Sequence, residues 1–107
     1  MATSPLVVFT TLGNEADARQ LVHTLLAARL IACGTLLRNA RSIFRWEGAV
    51  TEESEVLVVL KTEAARWDAL AAAVGAHHPY AVPELLALPV QETGAAYLRW
   101  LTGELAS

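Results

Sequence analysis

The feature that most constrains the fold is a long central stretch, residues 30–62, that contains no helical periodicity. At its centre, Glu47-Gly48 suits a hairpin with a two-residue turn, because glycine readily adopts the positive φ that such turns require. The two arms then run over about Cys33–Trp46 and Ala49–Thr62, well beyond the mean strand length of about 5–6 residues. Arms of this length must extend past a small domain, or be covered by a neighbouring subunit.

The rest of the chain predicts two further strands and three helices. A continuous apolar run indicates the first strand, and apolar residues at helical spacing indicate the helices. The expected elements are a strand at Leu6–Phe9, a helix from Asn14 to about Arg29, the two hairpin arms, a helix from Thr62 to about Gly75, a strand at Leu85–Val90 and a helix over about Gly94–Leu105.

The order of the first six elements, βαββαβ, predicts an α+β fold, a ferredoxin-like sandwich with two helices on one face of an antiparallel sheet. The C-terminal helix is an addition, and residues 1–107 form one domain. In this topology the first and third strands are central, and they hold the most continuous apolar runs. The fourth strand lies at an edge, where Pro89 is tolerated. The other face of the sheet stays bare, so we expect an oligomer to cover part of it.

Composition narrows the class of protein. Apolar residues make up 54% of 107, and the mean hydropathy of +0.38 is high for so small a soluble chain. No apolar run approaches the about 18 residues that span a membrane, so the surplus apolar surface predicts a homo-oligomer. A net charge of −3 argues against nucleic acid as a partner. The single cysteine, Cys33, and a start at Met1–Pro5 without the features of a secretory signal predict a cytoplasmic protein.

A second distinctive feature is the segment from His78 to Glu84. Pro79 and Pro83 restrict the backbone and favour an extended conformation for the residues before them. Because alternate side chains of an extended run share a face, the imidazole of His78, the phenol of Tyr80 and the carboxylate of Glu84 are expected on one side. The alternative is a loop that leads into the last strand, with Tyr80 anchored in the core.

Several motifs together resemble the CutA family of divalent-cation-tolerance proteins. They are Leu30-Ile31-Ala32-Cys33, Ser42-Ile43-Phe44-Arg45-Trp46-Glu47-Gly48, Glu55 leading into Lys61-Thr62, His78-Pro79-Tyr80-Ala81-Val82-Pro83-Glu84 and Tyr97-Leu98-Arg99-Trp100-Leu101. The resemblance implies a homotrimer of ferredoxin-like subunits whose long β-arms pack into their neighbours. It also implies copper binding and an architecture close to that of P-II-type signalling proteins.

The resemblance implies metal ligands at Cys33 and His78. To these we add Glu84 and Glu47 as supporting polar groups. Thiolate and imidazole suit copper(I), but two such ligands form only a minimal soft set. His78 and Glu84 are about 20 Å apart if the chain is fully extended. They can therefore bind the same ion only if the chain between them bends. We therefore expect copper or another divalent cation to bind weakly, or at a site shared between subunits. Cys33 also suits an apolar core, where a thiol has little reactivity.

The leading functional hypothesis is a homotrimer that binds divalent or soft metal ions such as copper and contributes to metal tolerance. One alternative is a P-II-like small-molecule sensor with an inter-subunit cleft at Trp46, Glu47, Lys61 and Tyr80. Another is a structural trimeric scaffold whose partner-facing surface carries its role. The sequence contains no Ser-His-Asp order, glycine-rich phosphate loop or Cys-x-x-Cys motif, so we do not expect an enzyme.

Overall fold

The computed structural model describes residues 4–106. The expectation about a secretory signal at Met1–Pro5 therefore lies largely outside the described residues, as do both ends of the predicted 1–107 domain. The elements are β1 (Pro5–Leu12), α1 (Glu15–Ala27), β2 (Cys33–Trp46), β3 (Ala49–Glu63), a 3₁₀ turn (Ala64–Arg66), α2 (Trp67–His77), β4 (Leu86–Pro89) and α3 (Ala95–Leu105). This order confirms the predicted ferredoxin-like α+β sandwich with its C-terminal helix.

The four strands form one antiparallel sheet in the order β2-β3-β1-β4. The two strands with the longest apolar runs, β1 and β3, are central, as predicted. β4 is an edge strand, and Pro89 pairs with Leu6 at its end. Proline is tolerated there because one side of an edge strand needs no donor for a neighbouring strand.

The hydrophobic core lies between the sheet and the helices α1 and α2. Asn14 begins α1 as predicted, because its side-chain oxygen accepts the backbone N–H of Asp17 at 2.8 Å. Apolar residues at helical spacing then turn one face of α1 toward the sheet. The buried apolar residues of this core are Val8, Leu12, Ala18, Leu21, Val22, Leu25, Ile31, Val56, Val58, Leu60, Leu70 and Val74.

The C-terminal helix α3 packs separately, through Leu101 and Leu105 against Ala32. Two arginines hold its C-terminal end, where helix carbonyls lack partners within the helix. The guanidinium of Arg29 donates to the Glu104 carbonyl at 2.8 Å, and that of Arg66 donates to the Leu105 carbonyl. Both positive charges also suit the negative end of the helix dipole.

The hairpin turn is as predicted. Glu47 and Gly48 have φ values of 49° and 83°, which is the two-residue geometry that matches strand twist. One feature was not predicted: the register of β2 against β3 shifts by one residue between Leu37 and Ala40. Asn39 lies in this β-bulge with φ of 61°, a conformation that asparagine tolerates better than most residues.

The hairpin extends past the rest of the sheet. β1 pairs with β3 only from Val56 to Glu63, so residues 49–55 of β3 and 40–46 of β2 pair only with each other. This overhang accounts for an elongated subunit with principal extents of 46 × 26 × 23 Å. The prediction that the arms extend past a small domain is confirmed.

The second helix differs most from the prediction. The ladder of β3 against β1 continues to the pair of Glu63 with Pro5, so the chain stays extended where a helix start was expected. A 3₁₀ turn follows, and α2 then runs through Gly75 to His77. Among the helices of residues 4–106, none is long and apolar enough to cross a membrane.

A matched pair of threonines tests the polar part of the core. Thr10 is fully buried, and its hydroxyl has no hydrogen-bond partner within residues 4–106. Thr10→Val is expected to raise the free energy of unfolding by about 1 kcal/mol, because it removes an unsatisfied polar group. Thr62 is equally buried, but its hydroxyl donates to the Leu30 carbonyl at 2.7 Å.

Thr62→Val is therefore the control and should lower the free energy of unfolding by about 1–2 kcal/mol. Urea denaturation of both variants measures the two effects. Equal destabilisation by Thr10→Val and Thr62→Val would contradict the difference in hydrogen bonding.

Candidate ligand site at the base of the hairpin

His78 is a buried, fully hydrogen-bonded residue at the end of α2. It is 7% exposed, and its backbone N–H donates to the Val74 carbonyl at 2.8 Å. The ring Nε2 lies 2.8 Å from the Thr11 carbonyl, and Nδ1 accepts the backbone N–H of Tyr80 at 3.1 Å. Because a carbonyl only accepts, these contacts require a neutral ring that carries its proton on Nε2. Both ring nitrogens are thus engaged within the subunit.

The segment from His78 to Glu84 is not an extended strip. The backbone bends over residues 79–82. His78 points into the protein, whereas Tyr80 and Glu84 are exposed. The expectation that His78, Tyr80 and Glu84 share one face is therefore wrong, because the bend breaks the alternation of an extended chain. The alternative of a loop leading into the last strand describes the backbone better, but its placement of Tyr80 in the core is wrong, because Tyr80 is 38% exposed.

Tyr80 connects this loop to the hairpin. Its hydroxyl donates to Glu55 Oε2 at 2.8 Å, and its ring lies 4.8 Å from the His78 ring at an angle of 58°. Burial and the hydrogen bond to Glu55 raise the pKa of Tyr80 to about 12, with further contributions from the charges of Glu55, Glu53 and Asp17. The Tyr80 phenol thus contacts β3, whereas the His78 imidazole contacts β1.

Cys33 and Lys61 lie together at the other end of the sheet. They are paired across β2 and β3, and Cys33 is partly buried. The Lys61 ammonium donates to the Thr35 hydroxyl at 2.7 Å and to the Val59 carbonyl at 3.1 Å. Burial is the largest cause that raises the pKa of Tyr97, and the neighbouring Cys33 raises it further through its charge and a hydrogen bond. This end is therefore a polar cluster in contact with α3.

The predicted metal ligands are not brought together within one subunit. Lys61, the partner of Cys33, pairs with Val7, whereas His78 contacts Thr11 four residues further along β1. That spacing corresponds to about 13 Å along the strand. Over residues 4–106, no group of three or more His, Cys, Asp or Glu side chains is placed to hold a metal ion. A site that uses Cys33 and His78 needs more than one copy of the chain.

Two of the four predicted cleft residues do share a site. Trp46 and Tyr80 line a groove of about 400 Å³ between the overhanging hairpin and the loop that follows α2. We call it the hairpin groove, and its lining residues are Phe44, Trp46, Thr51, Glu53, Glu55, Tyr80, Ala81 and Val82. Glu84 lines an adjoining depression. Lys61 lies at the opposite end of the sheet, and Glu47 lies in the hairpin turn outside the groove lining.

Glu55 is the functional candidate that sequence reasoning did not include among the site residues. It is 7% exposed, yet the only hydrogen bond to its carboxylate from residues 4–106 comes from Tyr80. No arginine or lysine of the described chain lies within ion-pair distance of it, and Arg38 pairs instead with Glu15 of α1. The sequence signal for Glu55 is a glutamate that directly precedes the apolar run of β3.

The high pKa of Tyr80 predicts how the protein responds to alkaline pH. A folded-state pKa near 12, above the ordinary value of 10.0, stabilises the fold through the neutral phenol. This contribution is complete below pH 10.0 and is lost as pH rises toward 12. Phenolate absorbance should therefore show a component that titrates near 12 in the parent protein and is absent from Tyr80→Phe.

Tyr97→Phe is the matched control, since the sequence contains two tyrosines. It should keep the component near 12 that belongs to Tyr80. An unchanged titration curve in Tyr80→Phe would contradict the assignment of the most basic phenol.

The fold and the groove first define a class of protein: a ferredoxin-like subunit with an overhanging hairpin and an acidic, aromatic groove along that overhang. The sequence profile of the family described as CutA1 divalent ion tolerance protein matches residues 6–104. The chain therefore belongs to the CutA family, as its motifs indicated.

Individual relatives agree with this membership. The chain is similar to the divalent-cation tolerance protein CutA of Escherichia coli strain K12 / DH10B, with 43% identity over 103 residues, 96% of this chain and 92% of the relative. Its fold is similar to CutA1 from Oryza sativa, with a TM-score of 0.91, 34% identity and coverage of 94% and 93%. It is also similar to the divalent cation tolerance protein from Thermus thermophilus, with a TM-score of 0.88, 40% identity and coverage of 91% and 94%.

Proposed function

We propose that the protein acts in the cytoplasm as a homotrimer that binds divalent or soft metal ions such as copper weakly and contributes to metal tolerance. The proposal gives it no catalytic role. Its relatives are named for divalent-cation tolerance, which supports the metal-tolerance part. The homotrimer in this proposal is supported by the uncovered sheet face together with the overhanging hairpin.

That sheet face is apolar and lacks a helix layer over much of its area. Val59 pairs with Phe9 and Phe9 with Leu86, so these three side chains share the face opposite α1 and α2. Leu86 and Leu88 are more than half exposed. An apolar sheet face is stable in water when another layer covers it, and further copies of the chain can supply that layer.

The separation of Cys33 from His78 favours a metal site completed by a second copy. Two soft ligands in one subunit are too few for a closed site, which needs about four. The His78 ring must also exchange its contact with Thr11 or Tyr80 for the metal. Both requirements account for weak binding.

Two measurements on the reduced protein test this function. Light scattering should return a mass near three times the 11.5 kDa of the chain. Calorimetric titration with copper should show weaker binding, by about tenfold or more, in Cys33→Ala and His78→Ala. His23→Ala is the matched control, because His23 is exposed on α1, and it should bind like the parent.

Circular dichroism on each variant separates loss of a ligand from loss of the fold. Unchanged copper affinity in folded Cys33→Ala and His78→Ala would remove both residues from the proposal. A soluble, folded particle of 11.5 kDa at working concentration would remove the trimer.

A second candidate function is a small-molecule sensor that resembles the P-II type. The observation that favours it is the hairpin groove, which contains Trp46 and Tyr80 and has a volume within the about 300–1,000 Å³ of ordinary ligand pockets. A thermal-shift panel of nucleotides, organic anions and organic cations tests it, and stabilisation by none of them would contradict it.

A further inference from the structure

We propose that, in the assembled protein, the ammonium of Lys61 on one copy forms an ion pair with the carboxylate of Glu55 on the neighbouring copy, and that this pair orients the copies head to tail. The inference rests on the homotrimer of the proposed function and names the contact that sets how its subunits meet. It follows from the face on which the two charges lie, from their surroundings and from the distance between them.

Lys61 and Glu55 project from the same face of β3. The even-numbered residues 56–60 of this strand are buried in the core beneath the helices. Because side chains alternate along a strand, the odd-numbered residues 55–61 point to the opposite face. We call this the bare face, and it is the apolar face shared by Phe9, Val59 and Leu86. An assembly that covers the bare face therefore also covers both charges.

Glu55 carries a buried carboxylate that no cation of its own copy neutralises. It is 7% exposed, and within residues 4–106 its side chain accepts one hydrogen bond, from the neutral hydroxyl of Tyr80. The ion pairs in this part of the chain are Arg29 with Glu104, Arg38 with Glu15 and Arg66 with Glu63. Buried charges are normally paired, so Glu55 requires a cation from outside its own copy.

Lys61 offers such a cation. Its ammonium donates to the Thr35 hydroxyl at 2.7 Å and to the Val59 carbonyl at 3.1 Å, both of which are neutral acceptors. An ammonium has three donors, so one is left for a further acceptor. Glu92 lines the depression beside Lys61, but it is exposed and belongs to none of the three ion pairs of the described residues. A carboxylate from a second copy can take the remaining donor.

The arginines of residues 4–106 suit this role less well. Three of them already form the ion pairs above. Arg41 and Arg45 pair with even-numbered residues of β3, so they project from the face of the hairpin opposite Glu55. Arg19 and Arg99 are exposed on α1 and α3. Lys61 is therefore the cation that lies on the bare face with Glu55.

The two charges cannot meet within one copy. Six residues of extended strand place their Cα atoms about 20 Å apart, toward opposite ends of the bare face. In a closed ring with heterologous contacts, each copy sets one patch against a different patch of the next copy. The hairpin extends past the sheet from Glu55 onward, so this end reaches toward the next copy. Head-to-tail packing then brings Glu55 to the end of the neighbouring sheet that carries Lys61.

The experiment is a double-mutant cycle on the full chain, with a chelator present. Sedimentation over a dilution series, at a fixed urea concentration in which the parent dissociates, gives the protein concentration at which half of the chains are assembled. Glu55→Gln keeps an acceptor for the Tyr80 hydroxyl, and Lys61→Gln keeps a donor for Thr35. Each alone should raise that concentration about tenfold or more, because it leaves the other charge buried and unpaired.

The double variant should raise the assembly concentration by less than the product of the two single effects. Such coupling reports contact between copies, because the about 20 Å between the residues in one copy exceeds the screening length of about 8 Å at physiological salt. Lys61→Arg keeps the charge and should assemble more tightly than Lys61→Gln. Circular dichroism verifies that each variant is folded.

Two control cycles use residues on the opposite face of the hairpin. They combine Lys61→Gln with Glu52→Gln, and Glu55→Gln with Arg45→Gln, and in each the effects should multiply. Multiplying effects of Glu55→Gln and Lys61→Gln, or coupling of Glu55 to Arg45 instead, would overturn the inference and leave the homotrimer in place. If the parent sediments as a single chain of 11.5 kDa without urea, the homotrimer and this inference both fail.

Discussion

Leu60→Ala is expected to lower the free energy of unfolding by about 2–5 kcal/mol. Leu60 is fully buried in the C-terminal half of β3, where it pairs with Val8 on β1 and Gly34 on β2. Truncation removes apolar contacts and leaves a cavity that the central sheet cannot close, because strands on both sides fix the backbone. Urea denaturation at one fixed protein concentration measures the loss.

Leu26→Ala provides the comparison, since Leu26 is 37% exposed on α1. Its cost should stay below about 1 kcal/mol, because the side chain lies outside the buried core and keeps part of its surface in water. The fixed concentration matters because association adds to apparent stability. A loss for Leu26→Ala as large as that for Leu60→Ala would contradict the placement of the core.

Gly34→Ala is expected to destabilise the fold by about 1–3 kcal/mol through overpacking. A Cβ at Gly34 would lie 2.9 Å and 3.0 Å from the two γ carbons of Val22 and 3.3 Å from Leu60 Cδ2. Val22 is β-branched and held in α1, so it has little freedom to move aside. Gly34 thus sets how closely α1 can approach β2.

A rescue experiment separates overpacking from a backbone effect. Val22→Ala removes both clashing carbons, so Gly34→Ala should cost less in the Val22→Ala background than in the parent protein. Gly103→Ala in α3 is the control, because its new Cβ meets nothing within 4 Å and alanine favours helix, so stability should rise by up to about 1 kcal/mol. Strictly additive effects of Gly34→Ala and Val22→Ala would contradict the clash.

Much of the fold could be predicted because its strongest signals are local. The Glu47-Gly48 turn fixes the hairpin register near the turn, and Asn14 fixes the start of α1. The element order then leaves few arrangements, and Pro89 correctly marks the edge strand. The start of α2 could not be predicted in the same way, because pairing between Pro5 and Glu63 keeps a helix-compatible sequence extended.

The site was less predictable, because it depends on register and on a bend. The bulge at Asn39 adds one residue to β2, and only the register beyond it places Phe44 and Trp46 on the same face as Glu55. The prolines around Tyr80 suggested an extended strip, whereas the loop bends and buries His78. The motifs that resemble the CutA family include Trp46 and Tyr80, so they indicated this region of the chain. The hydrogen bond from Tyr80 to Glu55 could be identified only in the three-dimensional structure.

The bare outer edge of β2 limits how copies of this chain can add to one another. β2 and β4 form the two sheet edges, and β2 is long enough at 14 residues to template indefinite strand addition. This edge is neither flat nor uncharged, because β2 contains the bulge and the charged side chains of Arg38, Arg41 and Arg45. Edge-to-edge addition of strands into fibrils is thereby disfavoured at β2.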